Sequence, residues 1–112
     1  MPSYLCSAIV DGFATANAQV RFYPLDDRLN IAGVEWLDAV EADDLVVFID
    51  YFGFDRWSAF GAEVRARGAW VVEDACQALL NDRFSEHAHY VLFSPRKFVG
   101  VRDGGILTSY CG

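Results

Sequence analysis

The sequence predicts an α/β fold in which a mostly parallel β-sheet is flanked by helices in three layers. Helical and extended segments alternate along the whole chain of 112 residues, with no low-complexity linker between them. The unbroken apolar run Leu45–Ile49 is typical of a strand buried on both faces, as parallel strands are. Because domains of this length are common, residues 1–112 are predicted to form a single α/β domain.

The first half of the chain predicts two units of a helix followed by a strand. A first helix is indicated by three apolar residues that are four positions apart and would share one face: Leu5, Ile9 and Phe13. Residues 19–23 predict a strand that ends at Pro24. Asn30 predicts the start of a short second helix, and the strand at residues 45–49 follows it. The apolar positions of that helix are Val34, Leu37 and Val40.

The second half repeats the pattern and then departs from it. Asp55 predicts a helix start and Gly68 a helix end before a strand at residues 69–72, and the apolar face between them holds Trp57, Phe60 and Val64. A short helix after Asp74 leads to a strand at about residues 90–93, and a last strand covers residues 106–110. Since no helical pattern separates the last two strands, they are predicted to form an antiparallel hairpin.

Composition and charge restrict the partners. Nine Lys and Arg against sixteen Asp and Glu give a net charge of −7, which excludes nucleic acid as a partner. The longest apolar run, Leu45–Ile49, is far shorter than the roughly 20 residues of a membrane span, and no basic residue precedes Arg21 as a signal peptide requires. A cytoplasmic protein without membrane contact is predicted. Hydrophobic residues form 54% of the chain, more than so small a domain can bury, so some apolar surface is expected to meet a partner, a second subunit or missing sequence. A homo-oligomer, most simply a dimer, is predicted.

The cysteines and histidines predict neither a disulfide framework nor a metal site. Cys6, Cys76 and Cys111 are odd in number and form no CxxC pair, so they are interpreted as reduced thiols. His87 and His89 would share one face of an extended segment, but no third ligand follows at metal-binding spacing. No metal is predicted.

Acidic residues follow two of the predicted parallel strands. Asp50 comes directly after the strand at residues 45–49, and Glu73 and Asp74 come directly after the strand at residues 69–72. The carboxyl ends of parallel strands are where α/β folds place functional groups. A carboxylate there can bind a ligand cation, or it can cap the next helix. Position alone leaves both interpretations open.

Lys97 is the only lysine in the chain, because the other eight basic residues are arginines. Unlike arginine, lysine can lose its proton and form a Schiff base with an aldehyde. It follows a predicted strand end and precedes the glycine pair Gly104-Gly105, which permits close backbone approach. Its setting therefore favours a chemical role over a solvated surface lysine.

Two motifs resemble the DegT/DnrJ/StrS-type sugar aminotransferases, which are pyridoxal-phosphate enzymes of fold type I. The first is Glu73-Asp74-Ala75-Cys76-Gln77, where the family has Glu-Asp-Ala-Ala-Gln or Glu-Asp-Ala-Ala-His. The second is Phe93-Ser94 followed by Lys97 and Asp103-Gly104-Gly105, where the family has Phe-Ser, a lysine and Glu-Gly-Gly. The resemblance covers nearly the whole chain but only the middle of the family's large domain.

The resemblance implies a role for four residues and a cofactor, pyridoxal 5′-phosphate. Asp74 would bond the pyridinium nitrogen, Gln77 would lie beside the cofactor ring, and Ser94 would bind the cofactor phosphate. Lys97 would be the catalytic residue that links to the cofactor aldehyde. A nucleotide sugar would be the substrate.

The chain also departs from the family pattern. Asp50 stands where the family has His, Asp103 replaces Glu, and the spacing from Ser94 to Lys97 is two residues shorter than usual. The upstream Gly-Thr/Ser turn that helps to hold the cofactor phosphate and the small domain have no counterpart here. The chain is therefore expected to be a shortened aminotransferase that is inactive alone.

Two alternatives come from other classes of protein. A response-regulator receiver has a similar length, an aspartate at a strand end such as Asp50 and a later lysine such as Lys97. It fits less well, because Asp43-Asp44 precedes its strand and Phe98 stands where receivers have proline. The other alternative is a non-catalytic interaction module derived from the enzyme.

Overall fold

In a computed structural model, which describes residues 1–78 and 85–110, four strands form one mixed sheet. The strands are β1 (Leu45–Ile49), β2 (Trp70–Asp74), β3 (Tyr90–Phe93) and β4 (Ile106–Ser109). The helices are α1 (Ser7–Thr15) and α2 (Ser58–Ala66), and the short 3-10 turns are Glu35–Ala39, Tyr51–Gly53 and Pro95–Lys97. The predicted α/β class is confirmed.

The order of the strands in the sheet follows their order in the chain. β1 pairs in parallel with β2, and β2 pairs in parallel with β3, so these three strands end at the same edge. β4 runs antiparallel to β3, and their ladder closes with Phe93 opposite Ile106. The predicted hairpin is therefore present, and the sheet is mixed at the predicted place.

Two predicted elements take a different form. Residues 19–23 are not a strand, because Tyr23 makes only an isolated bridge to Pro2 and its hydroxyl donates to the carbonyl of Val47 at 2.7 Å. Asn30 does not start a helix, since its side-chain amide donates to Asp26 at 3.1 Å. The 3-10 turn Glu35–Ala39 stands where the short helix was expected. The helix predicted after Asp74 falls partly on residues 79–84, outside the described residues.

The core lies on one face of the sheet, under α2. The Phe48 ring on β1 stacks on Trp57 with ring centroids 4.6 Å apart, and Val64 of α2 is fully buried with Val71 of β2. Gly61 makes this packing possible, because a Cβ there would lie 2.8 Å from Trp57 Cζ3. Asp55 was predicted to start this helix, but α2 begins at Ser58 with Trp57 as its N-cap, and Asp55 accepts the backbone N–H of Trp57 at 3.0 Å in the preceding turn.

Apolar surface remains exposed at the β4 side of the sheet. Both faces of β4 are largely open to solvent, with Ile106 48% and Leu107 61% exposed, and Val99 and Val101 in the preceding loop are exposed as well. The apolar surplus of the sequence is therefore found partly here. No helix among the described residues is long and apolar enough to cross a membrane.

Candidate functional site

Three segments meet at the edge where the parallel strands end. The turn 51–53 follows β1, residues 75–77 follow β2, and the turn 95–97 follows β3. β2 lies between β1 and β3, so its last residue, Asp74, is central at this edge. All four residues that the sequence analysis assigned to a cofactor lie at the end of β2 or in the loop that follows β3.

Asp74 is a buried carboxylate, 6% exposed. It lies opposite Ile49 on one side and Leu92 on the other, and its backbone carbonyl accepts the N–H of Asp50 at 3.1 Å. Its Oδ1 accepts the backbone N–H of Cys76 at 3.0 Å. The backbone of two strands and the following turn thus fix this carboxylate in place.

The pKa of the Cys76 thiol depends on the charges of Asp74 and Lys97. Burial, a hydrogen bond to Asp74 and the charge of Asp74 raise the pKa of Cys76 to about 12, and the charge of Lys97 acts in the opposite direction. The thiol is therefore protonated at neutral pH, and Lys97 lies within electrostatic reach of the same turn. Cys6 and Cys76 are free thiols, while Cys111 lies outside the described residues.

Lys97 ends a short turn that Ser94 and Pro95 define. The N–H of Lys97 donates to the carbonyl of Ser94 at 3.2 Å, and the N–H of Phe98 donates to Pro95 at 3.0 Å. The Ser94 residue is half-buried, whereas Lys97 is exposed. The Lys97 side chain is therefore accessible to solvent.

Gln77 has a role that the sequence did not indicate. Its side-chain oxygen accepts the backbone N–H of Phe52 at 2.7 Å, which ties the loop after β2 to the turn after β1. Phe52 and Gly53 in that turn both have positive φ, 56° and 82°. A Cβ at Gly53 would lie 3.2 Å from the Gln77 carbonyl oxygen, so the two loops approach closely.

Asp50 and Glu73 form a carboxyl pair that the sequence analysis did not foresee. They are 2% and 1% exposed, and Asp50 Oδ1 accepts the Trp57 indole N–H at 2.7 Å. Glu73 Oε2 accepts the N–H of Ser85 at 3.1 Å. Burial, a hydrogen bond to Asp50 and its charge raise the pKa of Glu73 to about 9, and burial raises the pKa of Asp50. Glu73 is therefore protonated at neutral pH and donates to Asp50.

This pairing bears on the receiver alternative. A phosphate acceptor needs an accessible carboxylate, whereas Asp50 is enclosed and hydrogen-bonded to Trp57 and Glu73. The alternation of side chains along a strand could have separated Glu73 from Asp74, because neighbouring residues point to opposite faces. The two acids that are adjacent in sequence consequently belong to different environments.

The histidines have separate neighbours. Nδ1 of His89 accepts the backbone N–H of Val71 at 2.9 Å, and its ring lies 4.9 Å from that of Trp70. Burial, with a contribution from Arg65, lowers the pKa of His89, so the ring is a neutral acceptor at pH 7. His87 Nε2 lies 3.9 Å from the carboxylate of Glu86. In residues 1–78 and 85–110, no group of three metal-ligating side chains is placed to hold an ion.

The fold of the chain is similar to that of a solved structure. It is a sphingosine-1-phosphate lyase of Burkholderia pseudomallei, with a TM-score of 0.73 and 18% sequence identity. The match covers 95% of this chain but 29% of that chain, so this chain spans less than a third of the length of the lyase. No protein-family model and no curated protein matches the sequence. Over nearly its whole length, the chain therefore has the fold of part of that lyase.

The edge holds groups that fit pyridoxal phosphate, the cofactor that the resemblance of the sequence motifs implies. Its ring nitrogen needs a carboxylate that is shielded from water, and its aldehyde needs a primary amine. Asp74 is such a carboxylate, and Lys97 is an exposed amine on the loop that follows the adjacent strand. Of the four residues assigned from the sequence motifs, Asp74 and Lys97 thus have the chemical groups that this cofactor needs.

Proposed function

We propose that the chain is part of a pyridoxal-phosphate-dependent aminotransferase that acts on nucleotide sugars. The observation that carries the proposal is the placement of a buried carboxylate, Asp74, at the end of the central strand beside the loop of the only lysine, Lys97. The fold agrees with a cofactor of this kind. The nucleotide sugar follows from the resemblance of residues 73–77 and 93–105 to the sugar aminotransferases.

Asp74 would keep the ring nitrogen of the cofactor protonated. Its carboxylate is buried, and the N–H of Cys76 holds it in one orientation. A charge-assisted hydrogen bond in such a position is stronger than one in water. When bound, pyridoxal phosphate supplies an electron-accepting ring that stabilises the electron pair released from a substrate C–H bond.

Lys97 would have two roles at its Nζ atom. Its amine would hold the cofactor through the cofactor's aldehyde, and would be released when the amine of a substrate takes its place. Its amine would then take a proton from the substrate carbon that bears the nitrogen and deliver it to the carbon on the other side of that nitrogen. The exposed position of Lys97 on a short turn suits a side chain that has to move between these roles.

The remaining residues would bind and orient. Ser94, immediately after β3, would donate its hydroxyl to the cofactor phosphate. Gln77 would lie beside the ring while its oxygen holds the turn after β1. A homodimer would cover the exposed apolar residues at β4, which an isolated subunit leaves in water.

Covalent labelling tests the proposal directly. The chain is incubated with pyridoxal phosphate, reduced with borohydride and mapped by peptide mass spectrometry. We expect the label on Lys97 and no label at this position in Lys97→Arg, which keeps the charge but cannot form the link. Label on the α-amino group alone would contradict the proposal.

Residues 1–112 by themselves are expected not to sustain transamination. They span less than a third of the length of the solved structure that they resemble. Glutamate is mixed with the cofactor-loaded chain, and conversion is followed by absorbance. Sustained turnover would show that the inactivity proposed for the isolated chain is wrong.

A further inference from the structure

Phe52 is an exposed aromatic residue in a conformation that an aromatic side chain rarely adopts. Its φ is 56° and its ψ is 21°, the left-handed region that favours glycine. The residue is 74% exposed, the highest value among the large hydrophobic residues at this edge of the sheet. Packing inside the domain therefore does not account for a phenylalanine here.

Two backbone hydrogen bonds fix this conformation. The Phe52 N–H donates to the side-chain oxygen of Gln77 at 2.7 Å. The N–H of the next residue, Gly53, donates to the carbonyl of Asp50 at 3.0 Å. A strained residue that its neighbours hold in place is typical of ligand-binding sites.

Leu29 shows that positive φ alone does not identify such a site. Its φ is 63°, but its side chain is half-buried in the turn that Asp26 and Asn30 close. Phe54, two residues beyond Phe52, is also exposed, but its φ is ordinary and the guanidinium of Arg56 lies over its ring at 5.5 Å. Phe52 combines the strain, the exposure and the position at the edge.

The position of Phe52 mirrors that of Lys97. Phe52 follows β1 and Lys97 follows β3, and β2 with Asp74 runs between these two strands. Neighbouring strands are about 4.8 Å apart, so the two loops leave the sheet roughly 10 Å apart across Asp74. One planar ring with its van der Waals contacts fills such a span.

From this arrangement we infer that Phe52 is a ligand-contact residue whose ring packs against a planar heteroaromatic ring bound at Asp74. The inference rests on the proposed function, in which that ring is the pyridine of the cofactor. Aromatic rings stack favourably on such rings, and an aromatic side chain loses little conformational freedom on contact. Gln77 acts through Phe52 as a positioning residue, because its hydrogen bond holds the turn.

The test compares Phe52→Gly with Phe54→Ala in the full chain. Glycine removes the ring and relieves the positive φ, whereas Phe54→Ala removes a nearby exposed ring from outside the strained turn. Binding of pyridoxal phosphate is titrated by absorbance, borohydride trapping at Lys97 is measured at saturation, and the thermal midpoint is recorded. We expect Phe52→Gly to weaken binding about three- to tenfold without lowering the midpoint. Phe54→Ala should bind within about twofold of the parent.

The outcomes separate this inference from the proposed function. If Lys97 is labelled and Phe52→Gly binds as tightly as the parent, the role of Phe52 is wrong while the proposed function stands. A lower midpoint in Phe52→Gly would show that the ring stabilises the fold, and would overturn the inference as well. If the parent is not labelled at Lys97 at any cofactor concentration, both are wrong.

Discussion

Glu73 and Asp74 are adjacent in sequence and similarly buried, yet they belong to two different regions of the molecule. Glu73 points into the core face, where it shares a proton with Asp50 beneath Trp57. Asp74 points to the other face, toward the turn of Cys76 and the field of Lys97. The alternation of a β-strand thus turns one acidic pair into a structural group and a candidate functional group.

The largest difference between the two acids is expected when each carboxyl group is replaced by its amide. Asp74→Asn should weaken binding of pyridoxal phosphate about 10- to 100-fold, because a neutral amide no longer makes a charge-assisted bond to the ring nitrogen. Glu73→Gln is the matched control, and it should bind the cofactor as the parent does. Absorbance titration measures both, and equal losses in the two variants would contradict the distinction.

A second pair of variants probes the structural side. Asp50→Ala leaves the Trp57 indole N–H and the Glu73 carboxyl without their acceptor, and should lower the free energy of unfolding by about 2–4 kcal/mol. Glu73→Gln keeps a donor toward Asp50 and an acceptor for Ser85, so it should cost under about 1 kcal/mol. Urea unfolding measures both changes. An Asp50→Ala variant as stable as the parent would show that the pair does not stabilise the fold.

The raised pKa of Glu73 also makes the free energy of unfolding depend on pH. The pKa of Glu73 is about 9 in the folded chain and its ordinary value is 4.5, so the folded state retains a proton that the unfolded state has lost. The stabilisation is complete below about pH 4.5 and is lost progressively as the pH rises toward 9. Glu73→Gln should remove this decline between pH 6 and 9. Urea unfolding at several pH values tests it, and an unchanged slope in Glu73→Gln would assign the decline to another group.

The smallest expected effect concerns the link between the two loops. Gly53→Ala places a Cβ 3.2 Å from the Gln77 carbonyl at a φ of 82°, and should cost about 1 kcal/mol of stability. Gly12→Ala is a suitable control, because it lies within α1 and a Cβ there meets no atom within 4 Å. The control should be neutral or slightly stabilising. Thermal unfolding compares the two, and equal midpoints would show that the loops are not in close contact.

Local pattern predicts some of these features well. The five apolar residues of β1 were sufficient to place a buried strand, and the missing helical pattern before residue 106 predicted the hairpin. The same position-based argument placed Asp50, Glu73 and Asp74 at strand ends. These features depend on residues that are neighbours in the chain.

Other features depend on contacts between distant residues. Tyr23 lies in a segment with a strand-like pattern, but its ring stacks on Trp36 at 4.6 Å and its hydroxyl binds Val47. The Asp50–Glu73 pair requires the register in which Phe48 lies opposite Glu73. The bond from Phe52 to Gln77 likewise joins two loops that are 25 positions apart. No local pattern contains this information.

The antiparallel return of β4 has a consequence for the segment that carries Lys97. Both ends of this segment are fixed in one ladder, since Phe93 lies opposite Ile106. The free energy of closing a loop rises only slowly with its length. Residues could therefore be inserted or removed beyond Val99 without shifting the pairing of β3 with β2. The reach of this loop over the edge can vary between related sequences while the carboxylate of Asp74 stays in place.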